Sequence, residues 1–177
     1  PLFLANEAVE TQQFLDVDDK YQQHVFAKFS LADERIVEQA IVAAVKAESA
    51  MAQLKPYQKQ NILLHCVEQF KKRRDELTEI LILEGGKPLK ASQAEVERLI
   101  NTFQLAADAT TQLSQGDVMP LAVTPAAGQY RGMVQHVPIG TIALISPFNF
   151  PLNLTAHKIA PAIAAGCPFV LKPASLT

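Results

Sequence analysis

The run from Ile139 to Lys172 constrains the fold more than any other part of the chain. It opens with Ile139-Gly140-Thr141-Ile142-Ala143-Leu144-Ile145, an apolar, β-branched segment of the kind that forms a strand buried on both faces. A loop pinned by Pro147 and Pro151 follows. Leu152 to Ala165 has the length and composition of a helix, and Gly166 stands where a left-handed C-terminal cap belongs. Phe169-Val170-Leu171 is a second apolar run, closed by Lys172-Pro173. The segment reads as a β-loop-α-β unit, long enough for a helical crossover between parallel strands, and such crossovers are right-handed in nearly every case. The fold class is therefore α/β.

In open parallel sheets ligands bind outside the carboxyl ends of the strands. The loop Ser146 to Pro151 leaves one strand at that edge and Lys172 leaves the other, so Asn149 and Lys172 are expected to be neighbours. The crossover helix carries Asn153, Thr155, His157 and Lys158 in its first half, beside the loop, while Ile159 to Ala165 is apolar and belongs to the core. The two prolines push Ser146 and Phe150 into extended conformations, which stiffens the loop. Asn149 then either offers an uncharged amide to a developing oxyanion or closes an Asx turn. Lys172 either holds a hydroxyl-rich or phosphorylated group or snorkels from the sheet end. Lys158 is either a proton carrier, half-sunk among apolar residues, or part of a solvated helix face. Cys167 follows a helix cap and Cys66 lies in an apolar stripe, so both read as structural thiols.

Upstream, residues 1–19 read as an extended or irregular arm and Tyr21 to Phe29 as a short strand. Ser30 is expected to cap a first helix, with Asp33 and Glu34 in its first turn. Pro56 opens a second helix whose stripe is Ile62, Leu63, Cys66, Val67 and Phe70, followed by the solvated basic run Lys71 to Arg74. A third helix carries Leu77, Ile80 and Leu81 and ends at Gly85-Gly86. A fourth, from Pro88 to about Leu113, buries Val96, Leu99, Phe103 and Ala107. Asp117 to Val137 changes to alternating segments and reads as a β-hairpin, with Thr124 to Gly128 as its turn. The chain thus divides into 1–116, 117–138 and 139–177. The last unit is expected to continue past Thr177, because two parallel strands alone leave open edges.

A net charge of -2 argues against a nucleic-acid surface. No apolar run reaches the length of a membrane span, and the first residues lack a basic leader, so neither membrane insertion nor secretion is expected. Two cysteines make no disulfide framework, which points to a reduced, cytoplasmic setting. The usual dinucleotide, phosphate-loop, zinc-hydrolase and nucleophile-elbow signatures are missing, and the four histidines match no metal-ligand spacing, so no metal site is expected.

The run Pro147-Phe148-Asn149-Phe150-Pro151-Leu152, with Lys158, Ala164-Ala165-Gly166-Cys167-Pro168 and Val170-Leu171-Lys172-Pro173-Ala174, closely resembles the aldehyde dehydrogenase superfamily. Glu84-Gly85-Gly86-Lys87-Pro88 and Glu95-Val96 resemble it too, and the likeness spans roughly Phe26 to Thr177. It implies part of a Rossmann-like cofactor-binding domain with N-terminal helices and a β-hairpin arm that joins subunits of a homo-oligomer, dimer or tetramer. The implied reaction oxidises an aldehyde to a carboxylic acid with NAD or NADP, through a cysteine thiohemiacetal and a thioester. By this resemblance Asn149 is the oxyanion-hole amide and Lys158 belongs to the proton path. Ile145, Ser146, Pro147 and Phe148 line the cofactor, with Phe148 replacing a commoner Trp. Lys172 bonds the adenosine ribose, and Leu154 and His157 line the aldehyde tunnel.

Ser175 departs from the pattern. Many NAD-preferring members carry there a Glu that bonds the ribose 2′-hydroxyl and repels a 2′-phosphate, so Ser175 implies that NADP is accepted. In the family the nucleophilic Cys and the general-base Glu come later than Thr177. The 177 residues alone are therefore expected to be inactive. Related readings are a CoA-acylating semialdehyde dehydrogenase, an acyl-phosphate reductase, and a non-catalytic nucleotide-binding or structural relative.

Overall fold

The computed structural model describes residues 1–175; Leu176 and Thr177, the end of the expected third unit, lie outside the described residues. The chain begins with two antiparallel pairs. β1 (Leu2–Leu4) pairs with β2 (Glu7–Val9) through Ala5 and Asn6, both at positive φ, the backbone that a tight hairpin turn demands. β3 (Phe14–Asp18) pairs with β4 (Val25–Ser30), and Asp19 in their connection accepts the Tyr21 and Gln22 N–H groups at 2.7 and 2.9 Å. Of the two expectations for residues 1–19 the extended one holds: they form a local hairpin and a strand, β3, that pairs with β4.

Four helices follow. α1 (Glu34–Gln53) is capped by Asp33, whose Oδ1 accepts the Ile36 N–H at 2.8 Å. Ser30, the expected cap, instead ends β4, where it is buried and its hydroxyl accepts the Thr11 N–H. Strand pairing takes Ser30, and the next capping residue three positions on starts the helix. α2 (Pro56–Lys72) begins at its proline, as expected. α3 (Arg74–Gly85) stops at Gly86 in the left-handed conformation. The basic run between them is exposed and paired to acids: Arg73 bonds Glu76, and Arg74 lies 2.9 Å from Glu97. α4 (Leu89–Leu113) is the spine of the fold.

The core forms where α2 and α5 (Pro151–Ala165) meet α4. α4 contributes Val96, Leu99, Ile100, Phe103 and Ala107 at helical spacing; α2 contributes Leu63 and Val67; α3 adds Leu81. Phe70 meets Phe103 edge to face, with ring centroids 5.0 Å apart. On α5 the buried stripe is Ala156, Ala160 and Ala164, four residues apart, and side chains this small let the α5 backbone approach α4 closely. Full burial of a Leu, Val or Phe here is worth about 1.5–3 kcal/mol each. Pro161 lies inside α5 and is exposed.

Between α4 and α5 stands a hairpin of β5 (Asp117–Pro120) and β6 (Arg131–Val134), joined through a short 3-10 turn at Pro125–Ala127. Gly116 enters it at φ +63, where a Cβ would lie 2.5 Å from the Val134 carbonyl oxygen, so only glycine fits.

The expected β-loop-α-β unit is present. β7 (Ile142–Ile145) runs parallel to β8 (Phe169–Lys172), with Ile145 opposite Lys172, and α5 connects them. Glu48 of α1 fastens the start of β7. Its Oε1 accepts the Thr141 N–H at 2.8 Å and the Thr141 hydroxyl at 2.7 Å. α5 ends in a Schellman motif: the Cys167 N–H reaches the Ala162 carbonyl and the Gly166 N–H the Ile163 carbonyl.

One expectation fails here. β7 is not buried on both faces: Leu144 is 8% exposed but Ile145 is 67% exposed. Side chains alternate along a strand, so α5 covers the Leu144 side while Ala143 and Ile145 face solvent. No helix is long and apolar enough to cross a membrane among the described residues.

Candidate active site

The loop between β7 and α5 is held at both ends. At its start Ser146 is buried; its N–H donates to the Lys172 carbonyl at 3.2 Å, extending the β7–β8 pairing by one step. The Thr155 hydroxyl donates to Ser146 Oγ at 3.0 Å and ties the loop to the first turns of α5. Pro147 and Pro151 bracket the rest, and Phe150 before Pro151 sits at φ -142 and ψ 73, out of the helical region as a pre-proline residue must be but short of the extended backbone expected of it.

The far end is held by residues from other helices. Phe150, the N-cap of α5, supplies no capping side chain. The free N–H groups of Leu152 and Asn153 donate to Glu95 Oε1, at 3.0 and 3.2 Å. Glu95 comes from α4 and is 1% exposed. Its other oxygen pairs with the Lys87 ammonium, and Lys87 also donates to the Asn149 carbonyl at 3.1 Å. Lys87 lies 4.2 Å and the Arg98 guanidinium 5.8 Å from the centre of the Phe150 ring. The carboxylate is thereby satisfied on both oxygens, as a buried charge must be.

Asn149 therefore has its backbone fixed and its side chain exposed. Among the described residues the Asn149 side chain makes no hydrogen bond, so it closes no Asx turn and its amide is available. Lys172, at the end of β8, turns toward the segment after it. Its Nζ donates to the Pro173 carbonyl at 2.9 Å and to Ser175 Oγ at 3.1 Å. Lys172 and Ser175 thus form one exposed donor pair at the sheet edge, with Ile145 beside them by register. Pro147 and Phe148 are exposed on the loop itself. Along the first turns of α5, Leu154 and Lys158 are half-buried and His157 is exposed. Asn153 is buried toward α4, where the Thr102 hydroxyl approaches its Oδ1.

Cys167 is buried beneath the α5 cap. Cys66 is half-buried, and burial pushes its thiol above the ordinary cysteine range, which disfavours the thiolate.

Sequence reasoning placed the loop, Lys172 and Ser175 together but gave Lys87 and Glu95 no part in the site. A signal existed. Glu95 lies four residues before Leu99, on the face of α4 that also carries Val96 and Phe103, so an acid occupies a core position of an apolar stripe.

Residues 7–177 match the sequence pattern of the aldehyde dehydrogenase family. The 3-sulfolactaldehyde dehydrogenase of Priestia aryabhattai is 34% identical over 176 residues, 99% of this chain and 36% of that protein. Aldehyde dehydrogenase 21 of Physcomitrella patens, solved with its reaction product succinate, is 44% identical with a TM-score of 0.95, over 99% of this chain and 36% of that one. The NADP complex of glyceraldehyde-3-phosphate dehydrogenase GapN from Methanocaldococcus jannaschii is 36% identical with a TM-score of 0.84, over 93% and 35%. The chain spans about a third of the length of these relatives.

Proposed function

The chain belongs to the aldehyde dehydrogenase family, and from that premise we propose that it is the part of an NAD(P)-dependent enzyme that oxidises an aldehyde to a carboxylic acid. The observation that carries the reading is Asn149: an unbonded, exposed side-chain amide on a backbone fixed from both sides, at the carboxyl end of a parallel strand. Such a donor costs no reorganisation when negative charge builds on the aldehyde oxygen as a thiol adds to the carbonyl carbon. Lys158, two turns into α5, serves the proton path, and Leu154 and His157 line the aldehyde's approach.

The donors at the sheet edge suit the adenosine end of NAD or NADP. Lys172 and Ser175 offer an ammonium and a hydroxyl 3.1 Å apart, with no acid at position 175 to repel a 2′-phosphate, so NADP is accepted. Ile145, Ser146, Pro147 and Phe148 form the adjoining wall. When bound, the nicotinamide accepts the hydride. The relatives named above concern a sulfonated aldehyde, a dicarboxylate product and a phosphorylated aldehyde, which supports a short, polar aldehyde as substrate.

The units 1–116, 117–138 and 139–177 divide helical part, subunit-joining arm and first β-loop-α-β unit. Val118 and Met133, 76% and 75% exposed on the hairpin, support homo-oligomeric contact there. Two free cysteines suit a cytoplasmic enzyme.

The test is Asn149→Ala in a full-length protein carrying this segment. It should lower kcat by about 10²–10³-fold, the usual effect of removing one oxyanion donor. Wild-type turnover would remove the role.

A further inference from the structure

We propose that Lys87 and Glu95 are positioning residues for the reaction, setting the direction in which Asn149 offers its amide. The inference rests on Asn149 being the donor to the aldehyde oxygen. Neither residue has a free group to offer a substrate: Glu95 is buried with both oxygens engaged, and the half-buried Lys87 is engaged by Glu95 and the Asn149 carbonyl. Both act on the backbone that carries Asn149.

The α5 N-terminus needs an anion, and its own N-cap residue, Phe150, supplies none. Glu95 meets that need from α4. By accepting the Leu152 and Asn153 N–H groups on one oxygen, it fixes where α5 begins. Its second oxygen holds the Lys87 ammonium, which reaches past it to the Asn149 carbonyl. The same ammonium sits against the face of Phe150, so the two residues before Pro151 are held at once, one by its carbonyl and one by its ring.

A carbonyl held at 3.1 Å fixes the plane of the Asn149–Phe150 peptide. That plane contains the Asn149 Cα, so the Cβ keeps only rotation about the Cα–C bond as a way to move. The loop needs this anchor because the Asn149 side chain has no bond of its own among the described residues. The α3–α4 connection and the first turns of α4 are thus joined to the distant loop and α5 at one ion pair, and that pair aims one side chain. Misplacing a reacting group by about 1 Å costs on the order of 10²-fold in rate.

The experiment is a double-mutant cycle in the full-length protein, with kcat and both KM values measured. Lys87→Met and Glu95→Gln should each lower kcat by about 10²-fold, while KM for the cofactor changes much less, because Lys172 and Ser175 end the neighbouring strand and bond each other rather than Lys87 or Glu95. In an Asn149→Ala background the same changes should cost about 2-fold or less, since their target is already gone. Lys87→Arg, which keeps a cation able to reach both partners, should recover most of the loss.

A full and multiplicative loss in the Asn149→Ala background would overturn the proposal, as would unchanged kcat in both single variants. Unchanged kcat for Asn149→Ala itself is a different failure, since it removes the donor role on which the proposal rests. If Glu95→Gln does not fold, Lys87→Met decides alone, because it leaves the Leu152 and Asn153 bonds to Glu95 in place.

Discussion

Gly166→Ala tests the cap that lets β8 start where it does. Gly166 sits at φ +82, a region that costs an L-residue about 1–2 kcal/mol. The new Cβ would lie 3.2 Å from the Met51 carbonyl oxygen and 3.3 Å from Pro138 Cγ, and neither atom belongs to a flexible side chain that can swing away. Against this stands the stiffer unfolded chain, a gain of about 0.4–1 kcal/mol. With the close contacts adding to the backbone cost, the net loss should be about 1–2 kcal/mol. At an unfolding slope near 2 kcal/mol per M of urea, the midpoint should fall by about 0.5–1 M.

The control is Gly128→Ala. Gly128 has φ -60 and ψ -24, and a Cβ there would meet nothing nearer than the Pro125 carbonyl oxygen at 3.5 Å. Only the unfolded-state gain remains, so this variant should be unchanged or more stable by up to about 1 kcal/mol. Equilibrium urea unfolding followed by far-ultraviolet circular dichroism measures both. Equal midpoints for the two alanine variants would refute the argument that left-handed backbone and close contacts at Gly166 set the cost.

Asp33→Ala should destabilise by about 1 kcal/mol through loss of the α1 cap, whereas Ser30→Ala should leave helicity unchanged in circular dichroism. A reversed order would restore Ser30 as the cap. The Thr141 hydroxyl and N–H hold the Glu48 carboxyl below its ordinary range. A depressed carboxyl contributes stability that is complete above the unfolded value, about 4.3, and is lost as pH falls through the lower folded value. Stability from pH 6 down to 3, measured by denaturant unfolding, should therefore fall less steeply in Glu48→Gln than in the wild type; parallel curves would count against it. In a full-length protein Ser175→Glu should lower kcat/KM with NADP relative to NAD by about 10-fold or more, by placing a like charge beside the 2′-phosphate. An unchanged ratio would remove Ser175 from that end of the site.

Much of this was legible because prolines and glycines act locally. Pro56, Gly86 and Gly166 punctuate helices through backbone geometry that needs no distant partner. The stripe on α4 was readable for the same reason, since a 3.6-residue period is a property of the helix alone. What was not legible depends on pairing across the chain. Ser30 and Asp33 are both good caps, and only the β3–β4 register decides which is free to act. The first residues reveal their strands only through partners, as Leu2 does through Val9 and Phe14 through Ser30. The apolar run of β7 marks faces that tolerate burial, not faces that are covered, which is why Ile145 misleads. Within the candidate site, the loop and Lys172 followed from sheet topology. The burial of Glu95 could be read from its place in the α4 stripe, but its partners could not, because Leu152 and Asn153 lie on another helix and nothing in local spacing reports them.

Pro161 has a consequence for how α5 opens. Lacking an N–H, it leaves the His157 carbonyl without its usual partner, so the ladder of α5 misses one rung near its middle. The turns beyond it are buried through Ala162 and Ala164 and locked by the Gly166 cap. The turns before it pack Ala156 and Ala160 into the core and are fastened at their start by Glu95 from α4. α5 is thus two hydrogen-bonded runs, one anchored at its start by Glu95 and the other at its end by the Gly166 cap. In amide hydrogen exchange the two runs should open independently, with the break in protection at Pro161.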